Sequence, residues 1–306
     1  MKKRKELRVE RFLKEMDMVV PWGRLVEEIR PHYKSELGRR PHDLELMLRV
    51  HFLQLWHNLR DPGMEEALYD RMSFQKFLGF DCFGGDIPDE SSICRFRHLL
   101  EVRGLSQTIL SCVNTHLAEH GLVLREGTIV DATLLQAPVS KKNKDKERDP
   151  EMSSTKKNYK WYFGAKGHIG VQAQGKSIIH SCALGTAKDH DIKALDALLH
   201  GEEKAVFGDS AYNTNEDKAQ ARANDIYYGI CDKGRRDNPL SPTQKRNNKK
   251  HSSLRAKVEH PFRVIKEQWG HRKLRYRGLM KNASQFTTLC ALCNIYLCRK
   301  LVATTG

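Results

Sequence analysis

The chain has 306 residues, 39% of them hydrophobic, and a formal net charge of +15 from 53 Lys and Arg against 38 Asp and Glu. That length suffices for one large core and a smaller accessory domain. No run approaches the roughly 18 uninterrupted apolar residues of a membrane span, so no membrane is expected as a partner.

The first 122 residues read as helical. The opening MKKRKELRVERFLKEMD is basic with no apolar stretch behind it, and is not read as a secretory signal. Leu44, Met47, Leu48, Phe52, Leu55 and Leu59 recur at helical spacing. Asp61-Pro62-Gly63 is expected to end that helix, with a second beginning near Glu65. A loop follows at Phe80-Asp81-Cys82-Phe83-Gly84-Gly85. Pro88-Asp89-Glu90-Ser91-Ser92 has the chemistry of an N-terminal cap. The helix it opens puts Ile93, Phe96 and Leu100 on one face, with Arg95, Arg97 and His98 pointing elsewhere. Another helix spans about Ser106 to His120 and stops at Gly121.

The texture then changes. Thr128 to Leu135 is rich in β-formers and contains Asp131. Residues 140–160 are Lys-rich and aperiodic, which predicts a mobile basic loop. His168–Gln172 and Ser177–Ser181 flank Gly175-Lys176 as a hairpin with a two-residue turn. A helix is expected over Asp191–His200, a short buried strand over Ala205–Asp209, a helix over Thr214–Asn224 and a strand over Ile226–Ile230. A basic zone follows: Lys233 to Arg277 holds 15 Lys or Arg against 3 Asp or Glu, most of the chain's net charge. Such an excess favours a polyanionic partner, nucleic acid first, over a merely basic surface. A helix carrying Arg255, Glu259, Phe262 and Lys266 comes next, and a last helix opens at Asn282 with Gln285 as a capping box. Eight cysteines are scattered. Cys290-Ala-Leu-Cys293 lies in an apolar helical stretch and reads as buried free thiols rather than a metal pair, which suits a reducing cytoplasm.

The acidic residues carry the chemistry. Asp131 sits inside an apolar strand, where a charge is costly unless paired. Asp209 ends a second such strand. Two carboxylates brought side by side repel, and a divalent cation bound by oxygen ligands, Mg²⁺ or Mn²⁺, removes that repulsion. Two unrelated aspartates with local hydrogen bonds would read the same way from these strands alone. Arg255, Glu259, Phe262 and Lys266 share one helical face. That face is either an ion-pair stripe or a metal ligand between two phosphate-binding cations. Pro261 must kink the helix or lie near its start.

Taken in order, these pieces resemble the DDE transposases of bacterial insertion sequences, in particular the insertion-sequence-five family. The resemblance rests on Ile129-Val130-Asp131-Ala132-Thr133, on Gly208-Asp209-Ser210-Ala211-Tyr212, and on Arg255-x3-Glu259-x6-Lys266. Pro88 to Arg97 and Asp189-His190-Asp191 add to it, and it covers about residues 40 to 300. Where related transposases carry a Tyr three residues before the signature Arg, this chain has Ser252. The 49 residues between Asp209 and Glu259 leave no room for the large β-domain of some relatives.

The resemblance implies an α+β, ribonuclease-H-like mixed sheet flanked by helices (residues 123–302), preceded by a helical DNA-binding or dimerisation domain (1–122). It implies Asp131, Asp209 and Glu259 as catalytic ligands of two Mg²⁺ ions, with Mn²⁺ able to substitute. DNA-end cleavage and strand transfer would follow at that site. Arg255 and Lys266 would contact phosphates. Lys245, Arg246, Lys249 and Lys250, with Arg272, Lys273, Arg275 and Arg277, would hold the DNA backbone. Arg95 and Arg97 would read bases, or line a solvated helix face. Tyr212 would stack on an unpaired base or pack in the core. The expected partners are double-stranded DNA, as terminal inverted repeats and target, and further copies of the chain assembled on it, in a bacterial cytoplasm at the nucleoid. A nuclease that joins nothing and a domesticated DNA-binding protein without catalysis are the competing readings.

Overall fold

The computed structural model describes residues 5–33, 40–80, 86–142, 144, 146–157, 159–234 and 237–305. The expected loop at 80–85 lies, from residue 81 on, outside them. The chain divides into two compact units, Met1–His120 with Ile295–Gly306, and Gly121–Asn294.

The first unit is helical: α1 (Arg8–Val19), α2 (Trp22–Ile29), α3 (Leu44–Trp56), α4 (Asp61–Asp70), α5 (Met72–Leu78), α6 (Glu90–Val102) and α7 (Leu105–Glu119). Asp43 caps α3 by accepting the Leu46 N–H at 3.0 Å, and α3 is buried almost throughout. Asp61-Pro62-Gly63 opens a helix rather than ending one, against expectation. A proline in the first turn has no intrahelical N–H to lose, and Asp61 places negative charge at the helix's positive end. Asp89 caps α6 through the Ser92 N–H at 2.6 Å, as its sequence predicts.

The second unit is built on a six-stranded sheet. Its strands are β1 (Gly127–Gln136), β2 (Ser153–Lys157), β3 (Lys160–Gln172), β4 (Ile179–Thr186), β5 (Ala205–Gly208) and β6 (Tyr227–Ile230). The order is β2-β3-β1-β5-β6, and β4 pairs with β3 beyond the end of β2. β1 is antiparallel to β3 and parallel to β5, and β5 is parallel to β6. This is the mixed sheet with flanking helices that the ribonuclease-H-like reading calls for. Residues 127–131 of β1 are buried on both faces, as a central strand between two helical layers must be.

Three local expectations are corrected. Part of the predicted 140–160 loop is the edge strand β2, paired antiparallel with the start of β3. The β3–β4 connection spans residues 173–178 rather than two residues. The helix expected over Asp191–His200 shrinks to a 3-10 turn, Asp191–Ala194, and one helical turn, α8 (Leu195–Leu198). Beyond β5, α9 (Asn215–Ala223) is capped by Thr214, which accepts the Asp217 N–H at 3.0 Å.

One face of the sheet packs Val130 and Val206 against Leu195, Leu198, Tyr212 and Ile230. On the other, Gly167 is needed because a Cβ there would come within 2.7 Å of the Phe286 ring. That ring belongs to α12 (Leu279–Thr305), which begins three residues earlier than expected. Asn282 is no N-cap; it turns back to bond Tyr276 and Gly278. The residues Leu279–Ala303 are long and apolar enough to span a membrane, contrary to the apolar-run reading, but the segment is two-thirds buried inside the protein as a core helix.

Candidate active site

β1 and β5 run in the same direction with Ile129 opposite Phe207. Side chains alternate along a strand, so two residues further on Asp131 and Asp209 fall on the same face. β5 ends at Gly208, and Asp209 turns the chain by capping the 3-10 turn Ser210–Tyr212, its carboxylate accepting the Ala211 N–H at 2.8 Å.

Asp131 is buried. Its Oδ1 accepts the Ala132 N–H at 2.8 Å, and its Oδ2 lies 3.6 Å from Nε of Arg255. Burial pushes this carboxyl up to about 6 against the opposing pull of Arg255 and the Ala132 N–H, and the charges of Asp209 and Glu259 add to the rise. The three acids therefore share one electrostatic neighbourhood. Among the described residues, no group of three His, Cys, Asp or Glu side chains is gathered closely enough to hold a metal as it stands.

The segment bearing Arg255, Glu259 and Lys266 is not the single helix expected. α10 (Pro242–Arg255) gives way to a 3-10 turn, Ala256–Val258, then α11 (Glu259–Arg263) and a π turn, Val264–Gln268. Pro261 is the cause. It has no N–H to offer the Lys257 carbonyl, which instead accepts the Ser177 hydroxyl at 3.0 Å. The helix restarts with the exposed Glu259 at its first position and Pro261 in its first turn. Lys266 donates to Thr133 Oγ1 at 2.9 Å and to the Leu134 carbonyl at 3.3 Å. Burial lowers its pKa, Lys157 and Arg272 lower it further, and Glu259 opposes them. Two of its three donors thus clamp β1 just beyond Asp131.

The basic run Lys245, Arg246, Lys249 and Lys250 lies on α10, a full helix with a Ser241–Gln244 capping box rather than a loop. All four are exposed, and none pairs with a carboxylate among the described residues. The inner side of α10 is polar and fixed. His251 bonds the Tyr227 hydroxyl at 2.9 Å, and Asn248 takes the Asp232 N–H and gives to its carbonyl, both at 2.9 Å. Arg272 pairs with Glu267, and the backbone of 272–274 brackets Gln136.

One expectation fails here and one alternative is decided. Arg97 is buried, bonded to Glu101 at 2.7 Å and Asp61 at 2.9 Å, and is withdrawn from base reading; its spacing put it off the apolar face, but two acids draw it inward. Arg95 remains exposed. Of the two readings of Tyr212, the core is the one found: it is wholly buried, its hydroxyl 3.2 Å from His168 Nδ1, and no base can stack on it.

The sequence reading missed the layer beneath. His168 and Lys166 lie on the sheet face opposite Asp131, by the register of β3 against β1. Lys166 donates to Asp191 and to the Asp189 carbonyl, both at 2.8 Å, and Asp189 accepts the Thr186 N–H and hydroxyl. These bonds fix the turn that carries Asp189-His190-Asp191, a motif the sequence displays without displaying the partners that hold it.

Two family models match the chain. One, described as Transposase DDE domain, matches residues 124–295. The other, described as Transposase domain (DUF772), matches residues 2–99.

Proposed function

Because the chain belongs to the DDE transposase family, which acts on DNA, we propose that it is the enzyme of a bacterial insertion sequence of the insertion-sequence-five group, cutting DNA at the element's ends and joining the freed 3′ ends to a target. The observation that carries this reading is the parallel pairing of β1 with β5, which sets Asp131 and Asp209 on one face of the sheet with Arg255 3.6 Å from Asp131. Carboxylates set on one face suit a hard divalent cation, and the set offers only oxygen donors.

Asp131, Asp209 and Glu259 would hold two such ions, Mg²⁺ or Mn²⁺. When bound, the ions supply an activated attacking oxygen and charge stabilisation at the leaving oxygen. The chain's own residues do the rest. Lys266 fixes the Thr133–Leu134 stretch of β1 and keeps one N–H for a phosphate oxygen. Arg255 balances Asp131 and sets a guanidinium beside the reacting phosphate. Lys245, Arg246, Lys249 and Lys250 hold the flanking backbone, and Arg95 on the helical unit faces base edges. That unit serves DNA binding and pairing of protomers on the inverted repeats.

A strand-transfer assay with the element's terminal repeats in Mg²⁺ tests this. Joined product supports it. Cleavage without joining would make the protein a nuclease, and binding without cleavage a non-catalytic DNA-binding protein.

A further inference from the structure

The end of the β2–β3 hairpin is exposed over its whole described length, and it carries two aromatic rings. Tyr159 is 93% exposed and Trp161 71% exposed. Neither ring adds to the core, and Tyr159 occupies the left-handed region at φ 63°, which bulky residues avoid. The fold gains nothing from an aromatic side chain at that turn. Lysines surround the pair: Lys156 sits opposite Trp161 and Lys157 opposite Lys160 across the hairpin. The Lys156 ammonium lies 5.8 Å from the Tyr159 ring centre.

The strand register orients the tip. Odd-numbered residues of β3 share a face, and Ile169 stands opposite Asp131, so Trp161 lies on the carboxylate face of the sheet. Trp161 stands eight residues before Ile169, roughly 26 Å along β3.

We propose that Trp161 and Tyr159, with Lys156 beside Trp161 and Lys157 and Lys160 on the other face of the tip, form a binding site for unpaired DNA, the rings stacking on exposed bases and the ammonium groups meeting the backbone. Aromatic rings among cations are what single strands require, because every base has a face to stack and every nucleotide a phosphate. A duplex offers the phosphates but keeps its bases stacked. The rival occupant is a second copy of this chain adding to the β2 edge. The β2 edge carries Lys156 and Lys157, and edge lysines discourage strand pairing. The proposal rests on the transposase reading above and adds to it a site for unpaired bases.

The tryptophans make the test direct. Trp22, Trp56 and Trp269 are buried, so Trp161 alone is open to a quencher. The full chain is titrated in chelator, where no cutting occurs, with an oligothymidylate of about 15 nucleotides and with a duplex of the same length. The single strand should quench tryptophan emission. Trp161→Phe should abolish the quench and keep the affinity; Trp161→Ala should weaken single-strand binding by about five- to a hundredfold and leave duplex binding unchanged. An unaltered quench in Trp161→Phe, or an unaltered single-strand affinity in Trp161→Ala, overturns the site. So does a Trp161→Ala protein whose only change is a smaller assembly, which would make the tip a contact between copies. Loss of duplex binding by the unaltered protein would instead count against the transposase reading.

Discussion

Nε of Arg255 lies 3.6 Å from Oδ2 of Asp131, and Arg255 is the last residue of the helix whose outer face carries Lys245, Arg246, Lys249 and Lys250. One helix therefore joins an exposed basic track to the buried carboxylate. On the proposed function, a phosphate held by the track would be led toward Arg255, whose guanidinium lies beside the acid that would take the cation.

Asp131→Asn removes the charge and keeps the shape. Nicking of end-containing DNA should fall by more than about a hundredfold, since the two-metal chemistry depends on that oxygen's charge. Duplex affinity in a gel-shift assay should stay within about twofold. The same variant has a stability signature. The folded carboxyl is raised to about 6, above its unfolded value near 3.9, so its contribution is present below pH 4 and lost as pH rises to 6. In chelator at pH 7 the Asn variant should melt higher than the unaltered chain, by up to about 3 kcal/mol in stability. Equal melting at pH 7 would mean that Asp131 is not strained by its surroundings.

Arg97 and Arg95 should separate in opposite directions. Arg97→Ala leaves Glu101 and Asp61 facing a buried void, and breaking a buried ion pair from one side costs about 3–5 kcal/mol. Urea unfolding should show that loss, with cognate and random DNA affected alike in whatever remains folded. Arg95→Ala should change stability by less than about 0.5 kcal/mol and weaken cognate ends selectively. A cognate-selective loss for Arg97→Ala would return it to the reading surface.

How far the sequence carries can be read from these same residues. Alternation and apolar runs locate β1, β5 and β6, because a buried strand writes its pattern in its own residues. Asp131 and Asp209 stand out for the same reason, as acids at the edge of apolar runs. Spacing alone leaves Arg97 off the apolar face, because Asp61, which with Glu101 draws it inward, is 36 positions away. Pro261 was recognised as a break, but the direction of the restart depends on Ser177, a residue from another part of the sheet. β2 has no apolar pattern to detect, since an exposed edge strand takes its order from the backbone of β3. Asp61-Pro62-Gly63 fits a helix start or a stop equally well until the chain's path decides.

Acid should unfold the protein through its buried imidazoles. Burial brings His51 down to about 4, with Arg97 adding to the shift, and burial likewise brings His57 and His180 to about 4. Each folded value lies below the unfolded one near 6.5, so this stability is complete above pH 6.5 and lost as pH falls toward 4. Asp131 works in the opposite sense over pH 4 to 6, so it offsets part of the loss. Thermal melts between pH 7 and 4.5 should therefore fall, and fall more steeply in Asp131→Asn, which lacks the offset. A melting temperature flat across that range would mean that these histidines are solvated in the folded state.

The basic track on α10 gives the last prediction. Lys245, Arg246, Lys249 and Lys250 sit one turn apart in two pairs on an exposed face, while His251 and Asn248 hold the other side of the helix to the sheet. Replacing all four with Ala leaves those inner contacts in place, and alanine favours the helix. If each residue neutralises one phosphate, each displaces about 0.9 counterion on duplex DNA, so the slope of log affinity against log salt should flatten by roughly three to four. Phosphates carry no sequence, so cognate and random duplexes should weaken together. Single-strand binding at the hairpin tip should be weakened far less, because stacking on Trp161 and Tyr159 does not depend on this helix. Affinities measured over a salt series on all three DNAs decide it. An unchanged slope would show that the four cations face only solvent, and the path of the DNA would then have to avoid α10.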